Sequence, residues 1–386
     1  MAELLPAPGG TALATTIVRV DCFVLRAPVA VPVQTSFGTM RERPALLVRL
    51  ADAEGGEGWG EIWCNFPACG AAHRARLVET VFRSLLEGAR VGDPASASAR
   101  LERQTRVLAL QSGEPGPFAQ VIAGIDCALW DLAARRAGLP LWRLLGGEGQ
   151  PRVPVYASGI NPDAAPETVA AQHAAGHRAF KIKIGFDAAR DVANLAAARR
   201  LVGPGAALMA DANQAWRVGE AVKICTALAE QGLAWIEEPL PADSPRRAWR
   251  SLRRRIPLPI AAGENVRGIA DFDAMIASGA FDVIQPDCAK WGGVTGCLAV
   301  ARAALAQGRR YCPHFLGAGL GLAFSAHLLK AAGGDGLLEI DINDNPLRAE
   351  IAPWSLRPDN GSVRLPDGPG VGAVPDPSLI ARFAAA

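Results

Sequence analysis

The first third of the chain alternates short apolar and polar stretches before it changes to helical spacing. From about Thr16 to Leu50, β-branched and other apolar residues alternate as in strands, and this segment ends near residues 58–60. Residues 74–110 and 118–137 then show the spacing of amphipathic helices, with apolar residues three or four positions apart. The pattern predicts an α+β unit over roughly the first 135 residues.

After Pro151 the apolar pattern becomes regular, and short runs alternate with Ala- and Leu-rich stretches long enough for a helix. The eight candidate strands are VPVYASG (153–159), AFKIKI (179–184), ALMAD (207–211), LAWIEE (233–238), PIAAGE (259–264), DVIQPD (282–287), RYCPH (310–314) and GLLEID (336–341). Strand–helix alternation indicates parallel pairing, and eight such strands fit a closed barrel of TIM type. A doubly wound open sheet is the alternative, disfavoured because no G-x-G-x-x-G follows the first strand.

Composition and charge narrow the function classes. The 386 residues include 40 Lys and Arg against 38 Asp and Glu, and the formal net charge of +2 offers no single-sign field for nucleic acid or an anionic membrane. The N-terminus lacks a signal-peptide pattern, and no uninterrupted apolar stretch approaches about 18 residues. The eight cysteines form no C-x-x-C pair and are typical of reduced thiols. We expect a cytoplasmic protein that binds neither nucleic acid nor a membrane.

Charged residues fall at the C-terminal ends of the predicted strands, where the chemistry of such barrels takes place. Lys181 and Lys183 end the second strand, and each of the next six strands ends near one acidic or imidazole side chain. These six residues are Asp211, Glu237, Glu264, Asp287, His314 and Glu339, in steps of 23 to 27 residues. A single strand-end carboxylate more often caps a helix or pairs with a lysine, but six successive strands predict functional side chains gathered at one rim.

Three neighbours in this series, Asp211, Glu237 and Glu264, are carboxylates. Converging carboxylates repel one another unless a cation neutralises them or some of them are protonated. Oxygen ligands alone suit a hard cation, so the trio predicts a Mg²⁺ site, with Mn²⁺ as the second choice. Three protein oxygens would leave coordination positions for the oxygens of a substrate.

Two groups in the series are candidate proton carriers. Lys181 and Lys183 are two apart on a strand, so their side chains point the same way. A second ammonium and a nearby metal would lower the pKa of Lys183 from about 10.4 to roughly 7–8, a useful range for a general base. His314 follows the strand next to the one that ends in Asp287, and an Asp beside a His fixes its tautomer and stabilises its charged form.

In these residues the chain resembles the enolase superfamily and, within it, the mandelate racemase subgroup. The matching motifs are KIKIG (181–185), DANQ (211–214), IEEP (236–239), GEN (263–265), KWGGVTG (290–296) and SAHLL (325–329). The resemblance implies a modified TIM barrel, (β/α)7β, over residues 150–350. It also implies an α+β capping domain over 1–140, completed by a C-terminal segment at 355–386.

The resemblance also implies residue roles. Asp211, Glu237 and Glu264 match the metal ligands, Lys183 with Lys181 matches the base on one face, and His314 with Asp287 matches the acid/base on the other. Glu339 and Ser158 match contacts to the substrate carboxylate, and Asn213 matches a polar residue near the metal and the substrate hydroxyl. Members of the family are commonly homo-oligomers, so we expect a dimer to octamer that acts on a small-molecule carboxylate.

Departures from the family pattern bear on the substrate. Muconate-lactonising enzymes and dipeptide epimerases have a Lys at the position of Asp287, so cycloisomerase and dipeptide epimerase activities are set aside. The first capping loop is PVQTSFGTM (32–40), and in the second, Glu61 and Asn65 replace aromatic residues that enclose a phenyl ring. Polar groups there would be left unpaired against a phenyl ring, which favours a more polar substrate. Arg41 and Arg43, just after the first capping loop, are candidates to meet a second carboxylate of the substrate, but solvation at the surface is the favoured interpretation.

These expectations lead to one main function and two alternatives. The main one is dehydration of an acid sugar or small polar hydroxy acid to a 2-keto acid, through an enediolate. The first alternative is a racemase or epimerase of a 2-hydroxy acid, in which the second base returns a proton to the opposite face. The second is a non-catalytic binder, disfavoured because the set of ligands and bases is complete.

Overall fold

The computed structural model describes residues 13–35 and 38–385. The first part of these residues forms a four-stranded antiparallel sheet covered by helices. Ser36 and Phe37 of the first capping loop lie outside the described residues. The strand order is β3–β2–β1–β4. The elements are β1 (Thr15–Thr35), β2 (Gly38–Asp52), β3 (Glu57–Ile62), α1 (Gly70–Leu77), a π-helix (Val78–Phe82), α2 (Arg83–Leu86), β4 (Arg90–Val91), α3 (Pro94–Gln111), α4 (Pro115–Arg136) and α5 (Leu141–Leu144).

The helical prediction for residues 74–110 is interrupted in the structure. The chain leaves α2, forms the short strand β4 beside β1, and starts α3 at Pro94, where the Asp93 carboxylate accepts from the Ser96 amide at 2.8 Å. Helix α4 is long and apolar enough to cross a membrane by length and composition, but 83% of its apolar window is buried inside the protein. It lies close against β3 because Gly60 has no side chain: a Cβ there would be 2.1 Å from the Gly124 carbonyl.

The second part of the chain is the predicted barrel, and the fold class is confirmed. Eight parallel strands alternate with seven helices. The elements are β5 (Arg152–Ile160), α6 (Ala165–Ala174), β6 (Ala179–Lys183), α7 (Ala188–Val202), β7 (Ala207–Asp211), α8 (Val218–Leu228), β8 (Trp235–Glu237), α9 (Arg246–Arg253), β9 (Ile260–Ala262), α10 (Ile269–Ala277), β10 (Val283–Ile284), α11 (Gly293–Ala306), β11 (Arg310–Tyr311), α12 (Gly319–Ala332) and β12 (Leu338–Asp341). Two 3₁₀ turns, Pro162–Ala164 and Ala229–Gln231, lie in the connections.

The barrel sheet curls until its last strand lies beside its first. The order is β11–β10–β9–β8–β7–β6–β5–β12, so β12 pairs with β5. Between β11 and β12, the Leu337 amide donates to the Cys312 sulfur at 3.3 Å. Gly336 allows this approach, since a Cβ there would lie 1.9 Å from the Tyr311 carbonyl oxygen.

Successive side chains on each barrel strand point alternately outward, towards the helices, and inward, into the barrel. On β6, Phe180 and Ile182 join the apolar layer between strands and helices. The inner positions hold a small apolar cluster near the N-terminal ends of the strands, in which Tyr156 and Trp235 meet edge to face at 5.6 Å. The strand tips beyond that cluster are left for polar groups.

The end of the chain returns to both parts of the fold. After α13 (Pro346–Ile351) and a 3₁₀ turn (Pro353–Leu356), β13 (Ser362–Arg364) pairs antiparallel with β5. The Val371 amide then donates to the Asp131 carboxylate of α4 at 2.9 Å. Beyond α14 (Pro377–Phe383), the Ala385 amide donates to the Val24 carbonyl at 2.9 Å, which adds the tail to the edge of β1.

An apolar layer and a buried ion pair join the capping domain to the barrel. The layer contains residues of β1 and α4 and of the barrel helices α11 and α12. Arg43 of β2 is 3% exposed, forms an ion pair with Asp341 at the end of β12, and donates to the Asp344 carbonyl at 3.1 Å. The expectation that Arg43 is solvated was wrong, because its partner lies about 300 residues later in the chain. Arg348 lies 3.4 Å from the same Asp341 oxygen that Arg43 contacts.

We predict that Arg43→Ala lowers the free energy of unfolding by roughly 3–5 kcal/mol, because it leaves a buried carboxylate without one of its partners. Arg152→Ala removes an exposed ion pair with Asp359 and should cost less than about 1 kcal/mol. Urea denaturation of both variants measures the difference. Equal effects would contradict a stabilising role for the buried pair.

A second buried group makes the stability depend on pH. His327 of α12 is fully buried, and its Nδ1 accepts from the Trp142 amide at 3.0 Å. Burial lowers the pKa of His327 from 6.5 to about 4. The folded protein therefore keeps this imidazole neutral at a pH at which the unfolded chain already binds a proton.

We predict that the free energy of unfolding falls as the pH drops from 6.5 to about 4, because protonation favours the unfolded chain in that window. The contribution of His327 is on the order of 3 kcal/mol. His327→Gln should flatten this part of the profile, measured by urea denaturation at several pH values, while His173→Gln on α6 should leave it unchanged. Identical slopes in both variants would refute the assignment.

Candidate active site

The C-terminal ends of the barrel strands bring the predicted site residues to one rim. In the strand register, Lys183 lies beside Asp211, and Asp211 lies beside Glu237. Across the closing pair, Glu339 of β12 lies beside Tyr156 of β5. The carboxylates and lysines therefore occupy neighbouring tips, as the strand–helix alternation predicted.

The two lysines of β6 each hold a carboxylate. Lys181 is 1% exposed, and its ammonium lies 2.6 Å from Glu237 and 2.7 Å from Glu339. Lys183 donates to Asp211 at 2.6 Å and to the Asn213 side-chain oxygen at 2.7 Å. Asn213 has a left-handed backbone with φ of 43°, and its amide donates to the Asp211 carboxylate, which fixes the turn after β7.

The pKa of Lys183 moves in the opposite direction to the one expected from the sequence. Burial lowers the pKa, but Asp211 outweighs burial and raises it above the usual value. The same balance holds for Lys181, whose pKa Glu237 and Glu339 raise well above the usual range. The expected lowering relied on the charge of a metal and of the second ammonium, whereas among the protein's own groups the carboxylates dominate.

His314 lies between two carboxylates. Its Nδ1 is 2.8 Å from Asp287, and its Nε2 is 2.6 Å from Glu264. Burial lowers the pKa of His314, but Glu264, Glu339 and Asp287 together raise it well above 6.5. Asp287 also accepts from the amide of Ala289 at 2.8 Å, so the carboxylate that orients the imidazole is itself held by its loop.

Glu339 is fastened from three directions. Ser158 donates to it at 2.5 Å, the amide of Phe315 donates at 3.2 Å, and Lys181 forms the ion pair described above. Burial raises the pKa of Glu339, but Lys181 and His314 outweigh burial and lower it. In this structure Ser158 therefore contacts Glu339, and its predicted contact to a substrate carboxylate stays a prediction.

Two further side chains reach the site without having been singled out from the sequence. The side-chain amide of Gln285, 1% exposed, donates to Glu237 at 2.7 Å. Lys290 lies 3.3 Å from Glu264 and 5.0 Å from the centre of the Trp63 ring. Gln285 lies on the predicted DVIQPD strand and Lys290 begins the KWGGVTG motif, so their positions beside the other strand ends were the available signal.

Glu61 and Asn65 contact backbone rather than open space. Glu61 is 4% exposed and accepts from the amides of Ala318 at 2.6 Å and Gly321 at 2.9 Å. Asn65 donates to the Leu316 carbonyl at 2.6 Å. Both polar groups are thus satisfied within the protein, and these two residues do not support the expectation of a polar substrate.

A small cavity of about 40 Å³ opens above the site. Lys181 and Lys183 line it from β6, and His314 lines it from the loop after β11. The remaining lining residues are Val33, Ser158, Gly159, Asn161, Asp211, Leu316, Glu339, Asp341 and Asn343. Most of its lining residues are polar.

The donor chemistry at the rim fits a hard divalent cation, although the side chains do not converge on one point. Among the His, Cys, Asp and Glu side chains of the described residues, no group of three is close enough together to hold an ion. Asp211 and Glu237 are buried and Glu264 is half-buried, at the ends of three neighbouring strands, and each is paired with a lysine or histidine. Three oxygen donors without sulfur suit Mg²⁺. Their assignment as ligands stays a prediction.

Comparison with known proteins identifies the family. The model for the N-terminal domain of mandelate racemase / muconate lactonizing enzyme matches residues 18–146. The model described as enolase C-terminal domain-like matches residues 164–379. A solved structure of a mandelate racemase/muconate lactonizing enzyme from Bordetella bronchiseptica RB50 is 52% identical. It covers 95% of this chain and 99% of that chain, with a TM-score of 0.90.

Other relatives show the range of activities in the family. D-galactarolactone cycloisomerase from Agrobacterium fabrum is 30% identical over 371 residues, 92% of this chain and 95% of the relative. A racemase from Streptomyces coelicolor A3(2), solved with bound magnesium, is 29% identical with a TM-score of 0.84 and covers 96% of this chain and 100% of that chain. Further relatives are dehydratases of sugar acids. Setting cycloisomerases aside on the basis of the sequence is therefore not supported.

Both family models, together covering most of the chain, agree with the barrel, its capping domain and the polar strand tips. The chain belongs to the mandelate racemase / muconate lactonizing enzyme family of the enolase superfamily.

Proposed function

We propose that this chain abstracts the α-proton of a small carboxylate substrate with the help of Mg²⁺, and that the outcome is dehydration of an acid sugar or polar hydroxy acid to a 2-keto acid. One observation carries the proposal: Lys183 and the His314–Asp287 pair border the same cavity from different strands. Two proton carriers on either side of one reacting carbon suit removal of a proton and delivery of another.

Each residue then has a role that follows from its contacts. Asp211, Glu237 and Glu264 would hold the cation, which when bound polarises the substrate carboxylate and stabilises negative charge. Lys181, in contact with Glu339 at 2.7 Å, would hold that carboxylate at the floor of the cavity. Glu339, with Ser158 beside it, would hydrogen-bond the same carboxylate in its protonated form. Asn213, which holds Lys183, is placed to orient its ammonium nitrogen.

The configuration of the substrate carbon decides which group takes the proton. A cation held by Asp211 and Glu264 would offset the charge by which these carboxylates keep Lys183 and His314 protonated. Neutral Lys183 would then take an α-proton on its face, and neutral His314 would take one on the opposite face. In a dehydration, His314 as an imidazolium gives its proton to the departing β-hydroxyl, and Asp287 stabilises that charge at 2.8 Å. The resulting enol becomes a 2-keto acid.

The outer wall of the cavity supports a polar substrate. Asn161, Asp341 and Asn343 line it beside two apolar residues, Val33 and Leu316. Asp341 is already paired with Arg43, and Asn343 donates to the Gly159 carbonyl at 3.0 Å, so Asn161 is the wall residue that would meet a hydroxylated tail. Sugar-acid dehydratases among the relatives agree with this choice.

Two alternatives share the first step. If the substrate has no β-hydroxyl, the second proton carrier returns a proton to the opposite face, and the protein is a racemase or epimerase of a 2-hydroxy acid. If the β-oxygen belongs to a ring, the same step opens or closes that ring, as in a cycloisomerase. The full-length similarity to D-galactarolactone cycloisomerase favours keeping this second alternative.

The domain boundaries, the location and assembly of the protein, and the choice of metal are part of the same proposal. Residues 1–140 would form the capping domain, 150–350 the barrel, and 355–386 the returning segment. The protein would be a cytoplasmic homo-oligomer. Mn²⁺ would be able to take the place of Mg²⁺, because both ions accept oxygen ligands.

A screen of mono- and diacid sugars with Mg²⁺ tests the proposal, by 2-keto acid formation and by NMR detection of deuterium exchange at Cα in D₂O. Lys183→Ala and His314→Ala should each lower turnover by about 10²–10⁴-fold. Chelation with EDTA should abolish exchange, and added Mg²⁺ should restore it. Lys223→Ala and His173→Ala, on helices α8 and α6, serve as matched controls that should retain activity.

The possible outcomes separate the alternatives. Exchange without keto acid supports the racemase, and a ring-opened or ring-closed isomer supports the cycloisomerase. Unchanged activity in both Lys183→Ala and His314→Ala would contradict the dehydratase, the racemase and the cycloisomerase alike.

A further inference from the structure

The two loops that carry the His314–Asp287 pair each lead into a helix without a cap of its own. Helix α11 follows the Asp287 loop and begins after Gly292, and helix α12 follows the His314 loop and begins after Ala318. Neither N-cap residue offers a side-chain acceptor, and neither helix has an acidic residue in its first turn. The first amides of a helix need acceptors when they are buried.

Both helices receive those acceptors from the capping domain. Glu61, at the end of β3, accepts from the amides of Ala318 and Gly321 at the start of α12. Asp126 of α4 is fully buried and accepts from the Thr295 amide at 3.0 Å and the Thr295 hydroxyl at 2.6 Å. A carboxylate at a helix N-terminus also gains from the helix dipole.

The fit around both carboxylates is close. A Cβ at Gly317 would lie 2.6 Å from a Glu61 oxygen, and a Cβ at Gly293 would lie 2.4 Å from an Asp126 oxygen. Ser98 donates to Asp126 at 2.6 Å and holds it from within the capping domain. Glycine therefore gives each carboxylate access to the start of its helix.

The segment after Glu61 forms hydrogen bonds to the same two loops, those that carry Asp287 and His314. The Trp63 amide donates to the Ala289 carbonyl at 3.3 Å, two residues after Asp287. Asn65 donates to the Leu316 carbonyl, two residues after His314. The loop of the opposite proton carrier is arranged differently: α7, after the Lys183 strand, is capped by its own Asp187, which accepts from the Arg190 amide at 2.8 Å.

We propose that Glu61 and Asp126 are positioning residues that hold the His314–Asp287 pair in place from the capping domain, so that the histidine face of the site depends on this domain and the lysine face does not. The catalytic part of this inference rests on the proposed function. Neither carboxylate lines the substrate cavity, and each acts on the pair through a helix start four to eight residues away.

The test uses the full chain with Glu61→Gln and Asp126→Asn. In Glu61→Gln the NH₂ group replaces one of the two oxygens that accept from helix amides. In Asp126→Asn it replaces either the oxygen that accepts from the Thr295 amide or the one that accepts from the Thr295 and Ser98 hydroxyls, so each variant loses part of its hold on the helix start. Burial raises the pKa of Glu61 to about 7 and that of Asp126 to about 6, so measurements at a pH of about 8.5 keep both ionised in the parent protein. Glu57→Gln, on the same strand as Glu61 and paired with Arg49, is the matched control.

Hydrogen–deuterium exchange of backbone amides, followed by mass spectrometry, needs no substrate. Glu61→Gln should speed exchange in peptides covering 314–322, and Asp126→Asn should speed it in peptides covering 288–297. Peptides covering 183–190 and 211–216 should be unchanged in both. No change at the two loops, or an equal change on the lysine side, would overturn the inference whatever the enzyme's substrate is.

The catalytic readout compares the two faces. D-gluconate and D-mannonate differ in configuration at C2 and present their α-protons to opposite faces. In the variants, Cα exchange for the histidine-face epimer should fall by roughly 10–100-fold in kcat. The lysine-face epimer should stay within about threefold, as both epimers should in Glu57→Gln. Equal losses of exchange for both epimers would show that Glu61 and Asp126 stabilise the fold without positioning the His314–Asp287 pair, and would overturn the inference. Absence of exchange in the parent protein would count against the proposed function, and amide exchange would then decide this inference.

Discussion

Buried charge pairing at the strand tips is the interaction on which the rest of this site depends. Lys181 lies between Glu237 and Glu339, and His314 lies between Asp287 and Glu264. A buried carboxylate or ammonium without a partner costs several kcal/mol, so acids and bases must alternate around the rim. The same alternation keeps proton donors and acceptors within reach of one cavity.

This balance couples each side chain to its neighbours. Glu264 contacts both His314 and Lys290, and Glu237 contacts both Lys181 and Gln285. Replacing a single acid would alter the charge state of bases on two strands, so single-residue effects at this rim will not add. Residues that only hold loops, outside this ring of charges, offer cleaner variants.

The strand ends were predictable from the sequence because they follow from local pattern. Seven of the eight apolar runs end near a charged or imidazole residue, and parallel strands place these residues at one rim. Contacts between distant segments could not be predicted in this way. Arg43 meets Asp341, and Glu61 meets the start of α12, across hundreds of residues, so no periodicity marks either pairing.

The lowered pKa expected for Lys183 assumed a bound metal and stays a prediction, whereas the protein's own groups raise that pKa. The neighbouring ammonium and a metal could be anticipated from the sequence, but the short distance from Lys183 to Asp211 could be known only from coordinates. Glu61 and Asn65 show the same limit, since their position in a loop suggested substrate contact and the fold uses them for backbone amides and a carbonyl.

The returning C-terminal segment has a consequence for how the protein is made. Val371 supplies an amide to Asp131, and the end of the chain adds to the edge of β1. A ribosome working at about 5–20 residues per second completes this segment roughly 10–50 seconds after α4 has emerged. During that interval the edge of β1 and the Asp131 carboxylate lack their final partners, so nascent chains expose an unpaired strand edge on which chaperones or other nascent copies can act.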